Sequence, residues 1–235
     1  MRFSSWQAAG NRYLLVERAE LEAPLTADVV RASSGGADGI LEVLTVTGTE
    51  AQIVIWNPDG SQAEMSGNGT RIAARWLADR TGADTVRILV GPRTVEAVAL
   101  ADGRIEQDIG SYEVAPSEIV DGIRLVPVSV GNPHAVVIGD PDEIGRIGPA
   151  LETHPRFPER TNVQVARVEA PGSVTARVWE RGVGETASSG TSAVAVAAAT
   201  HGDRAVVVVH FPGGDLTVRL ENATATLVGP VERIS

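Results

Sequence analysis

Two serine–glycine pairs, Ser66-Gly67 and Ser189-Gly190, each open a run of residues able to form a helix. The first N–H groups of a helix lack partners within it, and the dipole makes that end positive. Such an end attracts a carboxylate or phosphate, and glycine lets the ligand approach the backbone closely. A hydroxyl at this corner can exchange a proton with the bound acid only if a neighbour takes its own proton. The available helpers are the carboxylates of Glu64 and Glu185, which precede the two serines, and the imidazole of His134.

The two corners belong to a longer repeat. WNPDGSQAEMSGNGTRIAA begins at Trp56 and WERGVGETASSGTSAVAVA at Trp179, and the serine falls ten residues after the tryptophan in both. Upstream, Gly10-Asn11 matches Gly131-Asn132; Asn11 precedes Ser66 by 55 residues and Asn132 precedes Ser189 by 57. Four landmarks in one order predict two similar halves. On that reading the two serine corners face each other across a cleft and grip one small acid from both sides.

The elements that would carry these corners are mostly strands. Runs rich in β-branched residues, bounded by turn formers, predict strands at 40–48, 51–57, 85–90, 94–100, 124–131, 134–139, 162–169, 173–180, 205–211 and 215–220. Helices are expected at 68–80 and 190–200, with a third over 141–152. Short turns at 101–103 and 212–214 predict antiparallel neighbours. Trp56 and Trp179 read as core anchors at strand ends. The strand pattern lapses near residues 110–120, which places a boundary there: one half over 1–114 and a second over 115–227, with the last strand, about 228–235, returning to the first half.

Composition narrows the chemistry. The chain has 235 residues, no cysteine and a net charge of −10, and all 20 of its basic residues are arginine. Without lysine there is no Schiff base for pyridoxal phosphate and no Walker phosphate loop. Without cysteine there is no disulfide, thiolate metal site or thiol nucleophile. The histidine spacings match no metal motif, so no metal is expected. The acidic balance argues against a nucleic-acid partner. No apolar run reaches transmembrane length and the N-terminus lacks a signal-peptide core, so a cytoplasmic protein without a membrane partner is expected.

The sequence resembles diaminopimelate epimerase and, more broadly, the cofactor-independent amino-acid racemases of that fold. The likeness spans nearly the whole chain and rests on Gly10-Asn11, GADG (36–39), NPDGSQAEMSGNGTR (57–71), GNPHAV (131–136), ERTN (159–162), ERGVGET (180–186), SGT (189–191) and PGGDLTV near the C-terminus. It implies an α/β (α+β) fold of two pseudo-symmetric halves, each a mostly antiparallel, barrel-like sheet around a central helix. It also implies inversion at the α-carbon of an amino acid without a cofactor, most directly L,L- to meso-diaminopimelate in lysine and peptidoglycan synthesis, by an acid and a base on opposite faces. By the resemblance, Asn11, Asn57, Asn132 and Asn162 hold the distal amino-acid end, helped by Glu180 and Arg181. Gly67, Asn68, Gly190 and Thr191 offer backbone N–H groups to the reacting carboxylate, and His134 and Glu185 sit near the catalytic pair. The resemblance also implies a small-molecule amino-acid partner, and the family often forms homodimers.

One departure bears on the mechanism. The family's two acid/base positions are cysteines; here they are Ser66 and Ser189. A thiol has a pKa of about 8.5, a hydroxyl is far less acidic, and a helix dipole contributes only about 0.3–1 kcal/mol. Three readings follow. The serines act with a carboxylate or imidazole that shuttles the proton. A related isomerase or lyase works from a carboxylate or His134. Or the chain binds a small carboxylate without turning it over. Engineered removal of the thiols would leave the same pattern, against which the surroundings also differ from the family's at Thr70, Ile72, Ser188 and Ser192.

Overall fold

A computed structural model describes residues 3–235. The chain forms two compact units: one runs to Asp108 and takes in Gly229–Ser235, and the other is Ile109–Val228.

In the first unit a hairpin joins β1 (Ser4–Ala8) to β2 (Asn11–Glu17). Gly10 at φ 82° makes its turn, a conformation that favours glycine. Helix α1 (Ala27–Ser33) leads to β3 (Gly39–Thr47), which lies parallel to β2. Strand β4 (Glu50–Trp56) returns antiparallel, and β5 (Gln62–Ala63) pairs briefly with it. Helix α2 (Gly67–Thr81) then crosses to β6 (Thr85–Val90), parallel to β4, and β7 (Arg93–Ala99) and β8 (Ile105–Ser111) follow antiparallel.

The second unit begins within β8, continues with β9 (Glu113–Val114) and β10 (Glu118–Val120), and then repeats this plan. Strands β11 (Ile123–Ser129) and β12 (Pro133–Ile138) pair antiparallel, with Gly131 at φ 77° between them. A 3-10 turn (Pro141–Glu143) and α3 (Ile144–Glu152) lead to β13 (Asn162–Ala170), parallel to β12. Strand β14 (Ser173–Glu180) is antiparallel to β13, and β15 (Gly184–Thr186) pairs with its end. Helix α4 (Gly190–His201) crosses to β16 (Ala205–Phe211), parallel to β14, and β17 (Gly214–Glu221) and β18 (Thr224–Gly229) complete the run. Each unit therefore has two parallel joins, each spanned by a helix, in an otherwise antiparallel sheet. Even the register shift recurs, at Val43/Thr45 and at Val168/Ala170. The C-terminal β19 (Glu232–Arg233) pairs with β1 in the first unit, Trp6 opposite Arg233.

The helices of the two crossovers that end in β6 and β16 each carry a stretch buried on all sides. Asn68 to Ala74 are buried without a break in α2, as are Ser192 to Ala198 in α4. A helix buried all round needs small residues where strands approach closely, which explains the alanine-rich sequence of α4. Ile72, Ala73, Ala74 and Leu77 join Leu41, Ile53, Ile55, Val86 and Ile88 in the first core. Each isoleucine, leucine or valine side chain among them contributes about 1.5–3 kcal/mol on leaving water. That core fixes the axis of α2 and with it the position of Ser66, and the unbroken burial of Ser192 to Ala198 holds α4, which begins after Ser189.

Candidate active site

Ser66 and Ser189 are the N-cap residues of α2 and α4, with nearly identical backbone angles (φ −143°, ψ 118° and φ −147°, ψ 131°). Each accepts a hydrogen bond at its backbone oxygen from the residue four on, Thr70 and Ala193 respectively. Both helices thus begin with the glycine that follows the serine, as the capping preference of serine predicts.

In the first unit, Ser66 Oγ accepts the Gly69 N–H at 3.0 Å and lies 3.0 Å from the Tyr13 hydroxyl. Gly67 and Asn68 form the first turn of α2, and Asn68 Oδ1 accepts from the guanidinium of Arg71. Arg71 is fully buried, and burial lowers its pKa to about 10, so it remains cationic at neutral pH. Asn11 starts β2 and is buried. Asn57 follows β4 and holds the NPDGS turn, donating to Ser61 Oγ at 2.9 Å while Asp59 accepts from Ser61. Glu64 is exposed.

In the second unit, the Ser189 side chain is buried but caps no backbone N–H. Gly190 and Thr191 form the first turn of α4. His134 is buried with both ring nitrogens engaged: Nε2 meets Asn132 Oδ1 at 2.9 Å and Nδ1 meets Gln164 Nε2 at 3.0 Å. An amide oxygen on one side and an amide N–H on the other fix the neutral tautomer protonated at Nε2. Burial, aided by the charge of Arg181, drives the His134 pKa down to about 3. Asn162 opens β13 beside His134 in the parallel register; it donates to Pro133 O at 3.0 Å and accepts from Arg181 N at 3.0 Å. Glu180 accepts from Thr186 Oγ1 at 2.6 Å, and the Arg181 guanidinium donates to Glu159 O.

Asn132, His134, Asn162, Glu180 and Arg181 are thus gathered around the ends of β12, β13 and β14. Glu185 is differently placed. Its carboxylate is bound by Arg177 at 2.6 Å, and Arg177 also reaches Asp142. With both nitrogens of His134 occupied, the imidazole can take a proton from Ser189 only after one of those bonds breaks, whereas Arg177 holds Glu185 through Oε1.

The tryptophans are anchored in one way in both units. Trp56 Nε1 donates to Glu42 Oε2 at 3.0 Å, and Trp179 Nε1 donates to Glu152 Oε2 at 2.7 Å. Arg18 pairs with Glu42, and Arg160 with Glu152. Glu152 also accepts the Gly182 N–H at 2.7 Å, which fixes the turn carrying Arg181. The Trp179 bond, with Gly182 and Arg160, holds the Glu152 carboxyl below the ordinary range.

Sequence reasoning passed over Tyr13, Arg71 and Gln164. A signal for Tyr13 existed, since Gly10-Asn11-Arg12-Tyr13 and Gly131-Asn132-Pro133-His134 share the first two residues and put a polar ring at the fourth. Among the described residues no three histidine or acidic side chains gather as a metal site would need, and no helix is long and apolar enough to cross a membrane.

The family model of diaminopimelate epimerase matches residues 3–114 and 126–234. A diaminopimelate epimerase of Synechococcus sp. (strain JA-2-3B'a(2-13)) is 34% identical over 264 residues, covering 95% of this chain and 92% of its own. That of Pelotomaculum thermopropionicum is 36% identical over 230 residues, covering 85% and 82%. Among solved structures, a hydroxyproline epimerase from Agrobacterium vitis with bound trans-4-hydroxy-L-proline superposes with a TM-score of 0.70 at 16% identity, covering 99% of this chain and 89% of that one. A PhzF-family phenazine biosynthesis protein from Bacillus anthracis gives 0.75 at 12% identity, covering 100% and 98%. At such identities these two establish the shared fold.

Proposed function

Because the chain belongs to the diaminopimelate epimerase family, we propose that it inverts the α-carbon of an amino acid, L,L-diaminopimelate to the meso isomer, without a cofactor. The observation that carries the proposal is the pair of serine corners, Ser66 and Ser189, which have nearly the same backbone geometry at two helix N-termini.

The proposed roles follow from what each group can do. The first-turn N–H groups of Gly67, Asn68, Gly190 and Thr191 bind the reacting carboxylate, and the two dipoles stabilise the charge that develops on it when the α-proton leaves. Ser66 and Ser189 exchange the proton on opposite faces of the α-carbon. Asn11, Asn57, Asn132, Asn162, Glu180 and Arg181 hold the distal amino-acid end, which carries both an ammonium and a carboxylate and so calls for polar groups of both kinds. His134 fixes Asn132 for that task. Glu185 serves beside Ser189. The same reading includes a cytoplasmic location, a homodimer and no nucleic-acid or membrane partner, supported by family membership and the net charge of −10.

Incubation with L,L-diaminopimelate in deuterated water tests the proposal. It requires deuterium at the α-carbon and formation of the meso isomer. Binding without exchange at any pH would leave a carboxylate-binding homologue and remove the enzymatic reading.

A further inference from the structure

The two serine corners share a backbone, yet their surroundings differ in acidity. Ser66 Oγ lies 3.0 Å from the Tyr13 hydroxyl. Ser189 sits in the unit whose ring at the matching position is His134, with both nitrogens already bonded. Tyr13 is only 9% exposed. Its ring lies on Gly39, where an added Cβ would fall 2.6 Å from Tyr13 Cε1, so β3 leaves a bare backbone on which the ring rests.

A charge accompanies the phenol. Arg71 is fully buried, and among the described residues no carboxylate pairs with it; its guanidinium donates to Gly67 O and Asn68 Oδ1, and its Nε has no partner. A buried cation without a counter-anion favours ionisation of an acidic neighbour, and the Tyr13 phenol acts electrostatically on Arg71. From β1 and β3 the residues opposite Tyr13 are Trp6 and Gly39, neither of them charged.

We propose that Tyr13, whose hydroxyl lies against Ser66 Oγ, is the proton relay of Ser66. This rests on the epimerase reading. The substrate Cα–H bond breaks and its electron pair stays on Cα, delocalised into the carboxylate. The proton passes to Ser66 Oγ while the hydroxyl proton of Ser66 passes to the Tyr13 phenolate. Ser66 ends neutral and no serine alkoxide forms. The reverse transfer returns a proton to Cα, and exchange of the Tyr13 proton with water makes it a solvent proton. A phenol, with an ordinary pKa near 10, is far closer to working pH than a serine hydroxyl. Tyr13 acts through Ser66, so it is a relay and positioning residue.

Tyr13→Phe keeps the ring on Gly39 and removes only the hydroxyl. The chain has two tyrosines, and burial together with the bond to Asp203 pushes Tyr112 up to about 12. Tyrosinate absorbance of the wild type should therefore rise in two steps, and the lower step should vanish in Tyr13→Phe. A single strongly alkaline step for both phenols would overturn the proposal whether or not the protein turns substrate over. With L,L-diaminopimelate, Tyr13→Phe should lose at least ~100-fold in kcat, within the range of general acid–base catalysis. KM should hold, and the alkaline rise of the rate profile should disappear. A variant with the wild-type profile would also overturn it. A wild type that never exchanges the α-hydrogen counts against the epimerase reading, while the titration still decides the state of Tyr13.

Discussion

Tyr13 and His134 occupy the same position in the two units. Each lies three residues past a positive-φ glycine, on the second strand of a hairpin, and each opens a parallel pairing, with Gly39 and with Asn162 respectively. The repeated backbone thus offers one slot for a ring beside each helix corner. One unit fills it with a phenol that touches its serine, and the other with an imidazole locked by two amides. The pseudo-symmetry is strong in backbone and broken in chemistry.

The locked imidazole predicts acid lability. His134 is neutral in the fold with a pKa near 3, against an ordinary 6.5 once unfolded. The unfolded chain therefore binds the extra proton first, and this contribution to stability is complete above pH ~6.5 and is lost as the pH falls from there toward 3. Denaturant titrations should show stability dropping toward ~1.4 kcal/mol per pH unit within that window. His134→Gln should flatten the upper part of the slope. An unchanged slope in the variant would count against a buried neutral imidazole.

Glu152 predicts a second, lower window. Its folded pKa is depressed, so its contribution is present above the ordinary carboxyl range near 4.5 and is lost as the pH falls further. Glu152→Gln should also leave the Gly182 N–H or Trp179 Nε1–H with a poorer acceptor, costing about 1–3 kcal/mol. Because Glu152 fixes the turn that carries Arg181, substrate KM should rise as well. Stability lost without any change in KM would separate that turn from the binding end.

Gly39→Ala tests the seat of Tyr13. An added Cβ would meet Tyr13 Cε1 at 2.6 Å and Trp56 O at 2.7 Å, and the second contact is backbone and cannot rotate away. A cost of about 1–3 kcal/mol is expected, along with slower epimerisation as the ring shifts from Ser66. Wild-type stability and rate together would show that the ring is not seated there.

Ser66→Cys with Ser189→Cys asks whether acidity limits the rate. A thiol near pKa 8.5 is a far better acid and base than a hydroxyl in the same cradle. The double variant should epimerise at least ~10-fold faster at neutral pH, read as meso product per unit time. A slower double variant would mean that the site is built around the shorter hydroxyl and its Tyr13 contact.

Much of this was legible in the sequence because caps and β-branched runs are local signals. Ser66 and Gly82 bracket α2, and Ser189 and Gly202 bracket α4, within a residue or two of expectation. The strands at 85–90, 173–180 and 205–211 fall on the expected residues. Helix α1 was missed: seven residues, Ala27–Ser33, with two adjacent valines, give too short a pattern to distinguish from a loop. The parallel joins β2–β3 and β12–β13 are long-range, and no local pattern marks them, although the intervening helices are consistent with crossovers. Side-chain partnerships were the least legible. Nothing near Glu185 in sequence announces Arg177 as its partner, because the pairing is made across β14 and β15. Tyr13 reads in isolation as one more aromatic on an alternating strand.

The central proposal is that Ser66 and Ser189 serve one α-carbon. Ser66→Ala and Ser189→Ala should each be assayed with L,L-diaminopimelate in deuterated water, following meso product and α-deuterium together. Each single variant is expected to lose meso formation by ~100-fold or more while still binding the substrate. Retention of the wild-type epimerisation rate by either variant would contradict it.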